Sequence, residues 1–306
     1  MLRSAFPDLA WLKGEVARRF TQGQGWPSVI IQARPRQPVH RPDIEGPLSL
    51  FMNLSGRSAC TVAGRRVLIE DDTYFISNRA EHYTLDVEQP ADTETFNIHF
   101  GELLAETVLR DTTAHATALL DDPLAPGAAP VHFLSRLYPK DEALTQLVAH
   151  IRRHAADFNA HSLLREQLLL ALLAYLLGVH HRTREQAARL PAVRAVTRQE
   201  ILRRLAWSVD YLHSYYARDL SLDELARVAC LSKFHYLRLF GALHGCTPYA
   251  YLRQLRLRRG QALLRGGQLQ VAAVAEAVGF ESSSAFGRAL HQATGQWPLA
   301  VRAAAK

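Results

Sequence analysis

One pattern is written twice between Leu220 and Pro298, and a fixed repeat of this length narrows the possible folds sharply. The first copy reads LSLDELARVACLSKFHYLRLFGALHGCTP and the second LQVAAVAEAVGFESSSAFGRALHQATGQWP. Leu222, Leu225, Ala226, Ala229 and Leu231 recur 49 residues later as Val271, Val274, Ala275, Val278 and Phe280. Beyond them the offset becomes 50, pairing Tyr236 with Phe286, Arg238 with Arg288, Phe240 with Leu290 and Gly245 with Gly295. The second copy therefore holds one extra residue, and it falls in a turn. Each copy reads as a short helix, a tight turn and a second helix.

Local chemistry agrees. Ser221 is placed to cap the first helix, and Glu224 stands three residues on to close a capping box. Ala226 and Ala275 are small where two helices cross. Tyr236, Leu239, Phe240 and Leu243 share one face at helical spacing. That leaves Lys233, Phe234, Leu237 and Arg238 outward, and by the same register Ser283, Ser284, Gly287 and Arg288. A helix whose outer face carries Lys and Arg suits a DNA major groove, where phosphates attract it and base edges are read. Two plain helix pairs in a core would share the local pattern, but not a doubling at fixed offset.

Charge follows the repeat. Net charge is +7, yet residues 198–306 hold 15 Lys and Arg against seven Asp and Glu, while residues 1–197 hold 21 against 22. A basic surface favours polyanions through counterion release. The 306 residues suffice for two domains, and the 48% apolar share for their cores. Cys60, Cys230 and Cys246 are odd in number and irregular in spacing, which fits a reducing cytosol better than a disulfide framework or zinc site. The N-terminus lacks the apolar core of a signal peptide. The longest apolar run, Leu168 to Val179, is short for a bilayer. A cytoplasmic protein without a membrane segment is expected.

Residues 28–100 read as short strands between Gly, Pro and acidic turns: SVIIQA, LSLFMNL, ACTV, RVLI, TYFI, HYTLDV and ETFNIHF. Leu48, Leu50, Met52 and Leu54 alternate with Ser49, Phe51 and Asn53, the period of a strand with unlike faces. Strands at this density make a small antiparallel sandwich or barrel, and a barrel can hold a small molecule in its mouth. His40 and His82 are candidate ligand-binding residues there. With His99 they lack the spacing and second-shell support of a metal site, so no metal and no cofactor are expected.

From Asp141 the period turns helical, with Leu144, Leu147, Val148, Ile151, Ala155 and Phe158 in one stripe. Leu163 to Leu177 is apolar nearly all round, which suits burial in its own domain or a dimer interface. Residues 181–197 read as a linker. Thr197 with Glu200 makes a second capping box, opening a helix through Tyr216 whose inner face is Ile201, Leu205, Val209, Leu212 and Tyr216. Thr247-Pro248 begins a joining helix that ends at Gly266-Gly267. Its buried side is Leu252, Leu255 and Leu263, and Arg253, Arg256, Arg258, Arg259 and Arg265 decorate it.

SLDELARVACLS, FHYLRLF, GCTPYAYLRQLRL and AVAEAVGFESSSAFGRALHQATGQWP together resemble the DNA-binding domain of the AraC/XylS transcription regulators over about a hundred residues. The departures are Ser282 where Asp is usual, Ala285 for an aromatic, Leu290 for Phe, Gly260 for Ala and Trp297 for Ser. LSLFMNLSG, IEDDTYFISNRAEHYTL and ETFNIHF more loosely resemble the cupin-like sensor domain of many such regulators. The resemblance implies a small-molecule effector and often dimerisation.

The expected fold is α+β. A cupin-like β-barrel with following helices forms a sensor and dimerisation domain over 1–180. After the linker at 181–197, an all-α domain of two helix-turn-helix units occupies 198–306. The function expected is sequence-specific transcription regulation without catalysis. Expected partners are double-stranded DNA, a small-molecule effector, a second copy of the chain and RNA polymerase. A metal-dependent cupin enzyme with a DNA-binding tail and a constitutive DNA-binding protein whose barrel only dimerises are the alternatives. Bound metal and ligand-dependent melting separate them.

Overall fold

A computed structural model describes residues 2–10, 26–101, 131–154, 162–188, 190–191 and 195–303, with the single positions Gly14, Arg18, Leu104 and Val108. The chain divides into two units, Met1–Arg184 and Glu185–Lys306.

The first unit is built on strands β1 (Leu2–Arg3), β2 (Val29–Ala33), β3 (Val39–Glu45), β4 (Ser49–Ser55), β5 (Ser58–Val62), β6 (Arg65–Ile69), β7 (Thr73–Ser77), β8 (His82–Val87), β9 (Glu94–His99) and β10 (Leu137–Pro139). Among the described residues they form a six-stranded sheet, β1-β2-β9-β4-β7-β10, and a four-stranded sheet, β3-β8-β5-β6. Among the described residues no strand joins the two, so these strands form a pair of sheets and not a closed barrel. Every strand expected between residues 28 and 100 is present. β3 is the addition, and its sequence hides it. Pro42 and a register shift between Arg41 and Ile44 break its alternation, with Asp43 at φ 47°. An edge strand tolerates both.

β4 is buried on both faces, unlike the half-exposed strand its alternation suggests. Leu50 and Met52 join Tyr74, Ile76, Phe96 and Ile98 beneath two helices, α1 (Glu142–Arg153) and α2 (Ser162–Ala188). Phe51 turns the other way, into a second core with Phe75, Cys60, Val62, Ile69, Tyr83 and Leu85. The polar side chains between them are satisfied locally: Asn53 donates to the Ile69 carbonyl at 2.7 Å and accepts from Ser58 at 3.1 Å. Asp141 caps α1 by accepting the Leu144 N–H at 2.9 Å, and Leu144, Val148 and Ile151 are buried as the stripe requires. Ala155 and Phe158 lie outside the described residues.

α2 runs well past the apolar run read from the sequence. Its Leu163–Ala188 stretch is long and apolar enough to cross a membrane by length and composition. However, Leu169, Leu172, Leu173 and Leu176 are buried in the core beneath the six-stranded sheet, the setting of a core helix. Leu163 and Leu170 are exposed, so the helix is not buried all round. α2 also extends through residues 181–188, where a linker was expected.

Neither His40 nor His82 points into the β domain. Both are exposed on the outer face of β3–β8, where His40 Nδ1 lies 2.6 Å from Asp86 and His82 Nδ1 2.7 Å from Asp43. Their strands place even-numbered β8 residues outside and Tyr83, Leu85 and Val87 inside. His99 is the inward one. It meets Ser49 Oγ at 2.9 Å, stands edge-on to Phe51 at 5.8 Å, and is held down to about 4 by burial.

A histidine whose folded pKa lies below its unfolded value of about 6.5 favours folding when neutral. Burial also lowers His180 to about 4. The first unit should therefore be most stable above about pH 6.5 and lose stability as pH falls toward 4. In the full-length protein, His99→Gln should flatten that fall, measured as the melting temperature of the β-sheet signal across this range. An unchanged pH profile would refute the assignment to His99.

Candidate nucleic-acid interface

The second unit holds α3 (Ala195–Tyr215), α4 (Leu222–Val228), α5 (Lys233–His244), α6 (Pro248–Gly266), α7 (Val271–Ala277), α8 (Ser283–Thr294) and α9 (Pro298–Ala303). α3 begins before Thr197, so that residue is not its cap. Glu200 instead pairs with Arg203 and Arg204, both at 2.7 Å, and these contacts hold its carboxyl down against the opposing effect of burial.

α4–α5 and α7–α8 are the two helix-turn-helix units, and their turns differ by the one residue counted from the repeat. In each turn the chain reverses through a residue at positive φ, Cys230 at 50° and Gly279 at 79°. The following N–H then reaches back into the helix, Leu231 to Ala226 and Phe280 to Ala275, both at 2.9 Å. Ser221, Ser232, Thr247 and Ser282 each accept an N–H three residues on. The Glu224 carboxylate does not complete a capping box. It takes the Tyr211 hydroxyl and lies 4.0 Å from Arg218, tying α4 to α3.

α6 carries both units. Leu252 and Leu255 are buried on it, while Leu257 and Leu264 join Val274, Val278, Phe286 and Leu290 in the core of the second unit. Arg256 and Arg259 are structural and not surface charge. Arg256 donates to the carbonyls of Tyr216 at 2.7 Å and Arg218 at 2.8 Å, capping the end of α3. Arg253 reaches Gln292 on α8 at 2.9 Å. Arg259 is buried over the Tyr216 ring at 4.7 Å, and burial lowers it to about 10. Arg253, Arg258 and Arg265 remain exposed.

On α5 the outward residues are as the register requires. Tyr236, Leu239 and Phe240 are buried, and Lys233, Phe234, Leu237 and Arg238 are exposed. Phe234 is 87% exposed, the highest value among the large apolar side chains described. Lys233 sits at the start of α5, 2.7 Å from Asp223 on α4. With both partners exposed this pair is worth at most about 1 kcal/mol, so the lysine can exchange it for a phosphate. On α8, Ser283, Ser284 and Arg288 are exposed, but Gly287 is buried. A Cβ at 287 would meet Pro298 Cγ at 3.7 Å and Trp297 Cε3 at 3.9 Å. Its outward placement is thus corrected: the chain entering α9 lies over it, a contact that helical periodicity alone does not reveal.

Two exposed second helices fixed to one shared helix define a tandem helix-turn-helix domain. Residues 225–304 match a family model described as a helix-turn-helix domain. The HTH-type transcriptional regulator AlkR of Acinetobacter baylyi is 34% identical over 91 residues, 30% of each chain. The MmsAB operon regulatory protein of Pseudomonas aeruginosa is 33% identical over 125 residues, 40% of this chain and 39% of that one. The chain spans about a third of the length of the curated relatives it matches. The DNA-binding domain of AdpA, solved with a target DNA, is 31% identical over 33% of this chain and 90% of that one, with a TM-score of 0.31. Residues 225–304 are thus similar to the helix-turn-helix domain of proteins named as transcriptional regulators.

Glycine is required at two positions of this domain. A Cβ at Gly260 would stand 2.6 Å from the fully buried Phe286 ring, and one at Gly279 would stand 2.5 Å from the Ala217 carbonyl. Alanine would gain about 1 kcal/mol of helix propensity at 260, but overpacking typically costs about 1–3 kcal/mol. Gly260→Ala should therefore be destabilising on balance. Gly279→Ala adds left-handed strain to a backbone collision and should cost more than about 2 kcal/mol. Cys230→Gly, which relieves the same conformation in the first unit, should stabilise by about 1 kcal/mol. Urea denaturation followed by helical circular dichroism checks all three signs.

Proposed function

We propose that this chain is a sequence-specific DNA-binding transcription regulator, acting in the cytoplasm, with an effector-responsive N-terminal unit. The observation that carries the reading is the pair of exposed strips, Lys233–Phe234–Leu237–Arg238 and Ser283–Ser284–Arg288, mounted on one helix. α5 and α8 then enter successive major-groove segments on one DNA face, about 34 Å apart. No catalytic step is needed, and RNA polymerase is the partner through which such a protein acts on transcription.

The two units contribute unequally in this reading. Arg238 makes a bidentate contact to a guanine edge, with Phe234 or Leu237 against a thymine methyl. Arg288 stands among short hydroxyls and mainly holds the backbone. On a duplex selected from a random pool, Arg238→Ala should cost about 1–3 kcal/mol and relax preference at one base position. Arg288→Ala should weaken all duplexes alike and reduce the salt slope by about one. Equal loss of base preference from both substitutions would defeat the division of labour.

The N-terminal unit is proposed as a cupin-like sensor. Supporting this, Ser49, Asn97 and His99 lie on the Phe51 face of the six-stranded sheet, and Asn97 Nδ2 has no hydrogen-bond partner among the described residues. A small polar effector would satisfy it. The exposed strip of α2, with Leu163, Leu170, Ala171 and Ala174, supports a homodimer through this unit. Leu170→Glu should shift the sedimenting species of the full-length protein to monomer. A dimer that persists unchanged would remove α2 from the interface.

A further inference from the structure

The two helix-turn-helix units have exchanged large and small residues at equivalent places. At the 50-residue offset, Leu237 corresponds to Gly287, Gly241 to His291, and Thr247 to Trp297. In the first unit the apolar mass is a leucine on the second helix, 37% exposed, and the residue before the next helix is a small cap, Thr247. In the second unit the helix is bare at 287, and the residue before α9 is a tryptophan. Its Cε3 lies 3.9 Å from where a Cβ of residue 287 would stand. The indole stacks on His291, one turn along the same face, at 4.4 Å and 21° between planes, yet it stays 53% exposed.

We infer that Trp297, braced by His291, is a DNA-contacting residue of the second unit and supplies the apolar surface that Gly287 lacks. This rests on the DNA-binding reading given above. Residues 287 and 291 follow Ser283 at successive turns of α8, and Trp297 and Pro298 lie over the first of them. A side chain over them meets the rim of the groove, while the helix N-terminus meets its floor. The indole therefore packs on deoxyribose, and its N–H is suited to a phosphate oxygen. This contact is independent of base sequence. It compensates for the short side chains of Ser283 and Ser284, which by themselves grip weakly.

Full-length protein and two duplexes, one selected from a random pool and one scrambled, test the assignment. Trp297→Ser should weaken both by the same factor, about tenfold, and Trp297→Phe by about threefold, since it keeps the ring and loses the N–H. A variant with Trp11, Trp26 and Trp207 changed to Phe leaves Trp297 as sole emitter. Its quenching by acrylamide should fall when duplex is added, which reads the contact even if Trp297→Ser folds poorly. Quenching that does not change while duplex binds would overturn the inference, as would a loss confined to the selected duplex. Failure of the unaltered protein to bind any duplex at low salt would instead remove the DNA-binding reading, and this inference with it.

Discussion

Phe286 rests on the bare backbone of Gly260, with no room for a methyl group between them. The position of α8, which carries Ser283, Ser284 and Arg288, depends on that approach. Around the contact, Leu257, Leu264, Val274, Val278 and Leu290 form a dry cluster, so the second unit has one seat on α6 and not a range of them. The first unit is seated on the same helix through Tyr251, whose ring stands against Phe240 at 5.7 Å and His244 at 5.3 Å. Spacing between the two outward strips is thus a property of one rigid helix. Interfaces that read two groove segments at once need this kind of fixed spacing.

The parts legible in the sequence were those specified locally. The offset of the repeat, the serine and threonine caps, the glycine stops and the buried Tyr236–Leu239–Phe240 face all depend on residues within a turn of one another. The strands between residues 28 and 100 were legible for the same reason. What escaped was set by neighbours distant in the chain. Gly287 lies outward by helical register, and only the return of the chain at Trp297 covers it. Glu224 has the spacing of a capping box, but Tyr211 and Arg218 offer it stronger partners. Arg259 reads as surface charge until Tyr216 is brought over it.

The β domain shows the same limit. Alternation in β4 correctly announced a strand, but it did not show that a second sheet and two helices would cover opposite faces. His40 and His82 stand out in the sequence by residue type alone. Pairing of β3 with β8 sends both to the outside, beside Asp86 and Asp43, and leaves His99 as the inward imidazole. The break at Pro42 and Asp43 hid β3, and with it the register that decides where those histidines point.

Arg256 gives the second unit a mechanical property. Its guanidinium holds the carbonyls of Tyr216 and Arg218, so the end of α3 is clamped to the middle of α6. Tyr211 on α3 holds Glu224 on α4, clamping the same helix to the first reading unit. α3 is also the first helix that lies wholly within this unit. A load applied there is shared between the first helix-turn-helix unit and the helix that carries both, which makes α3 the lever of this domain.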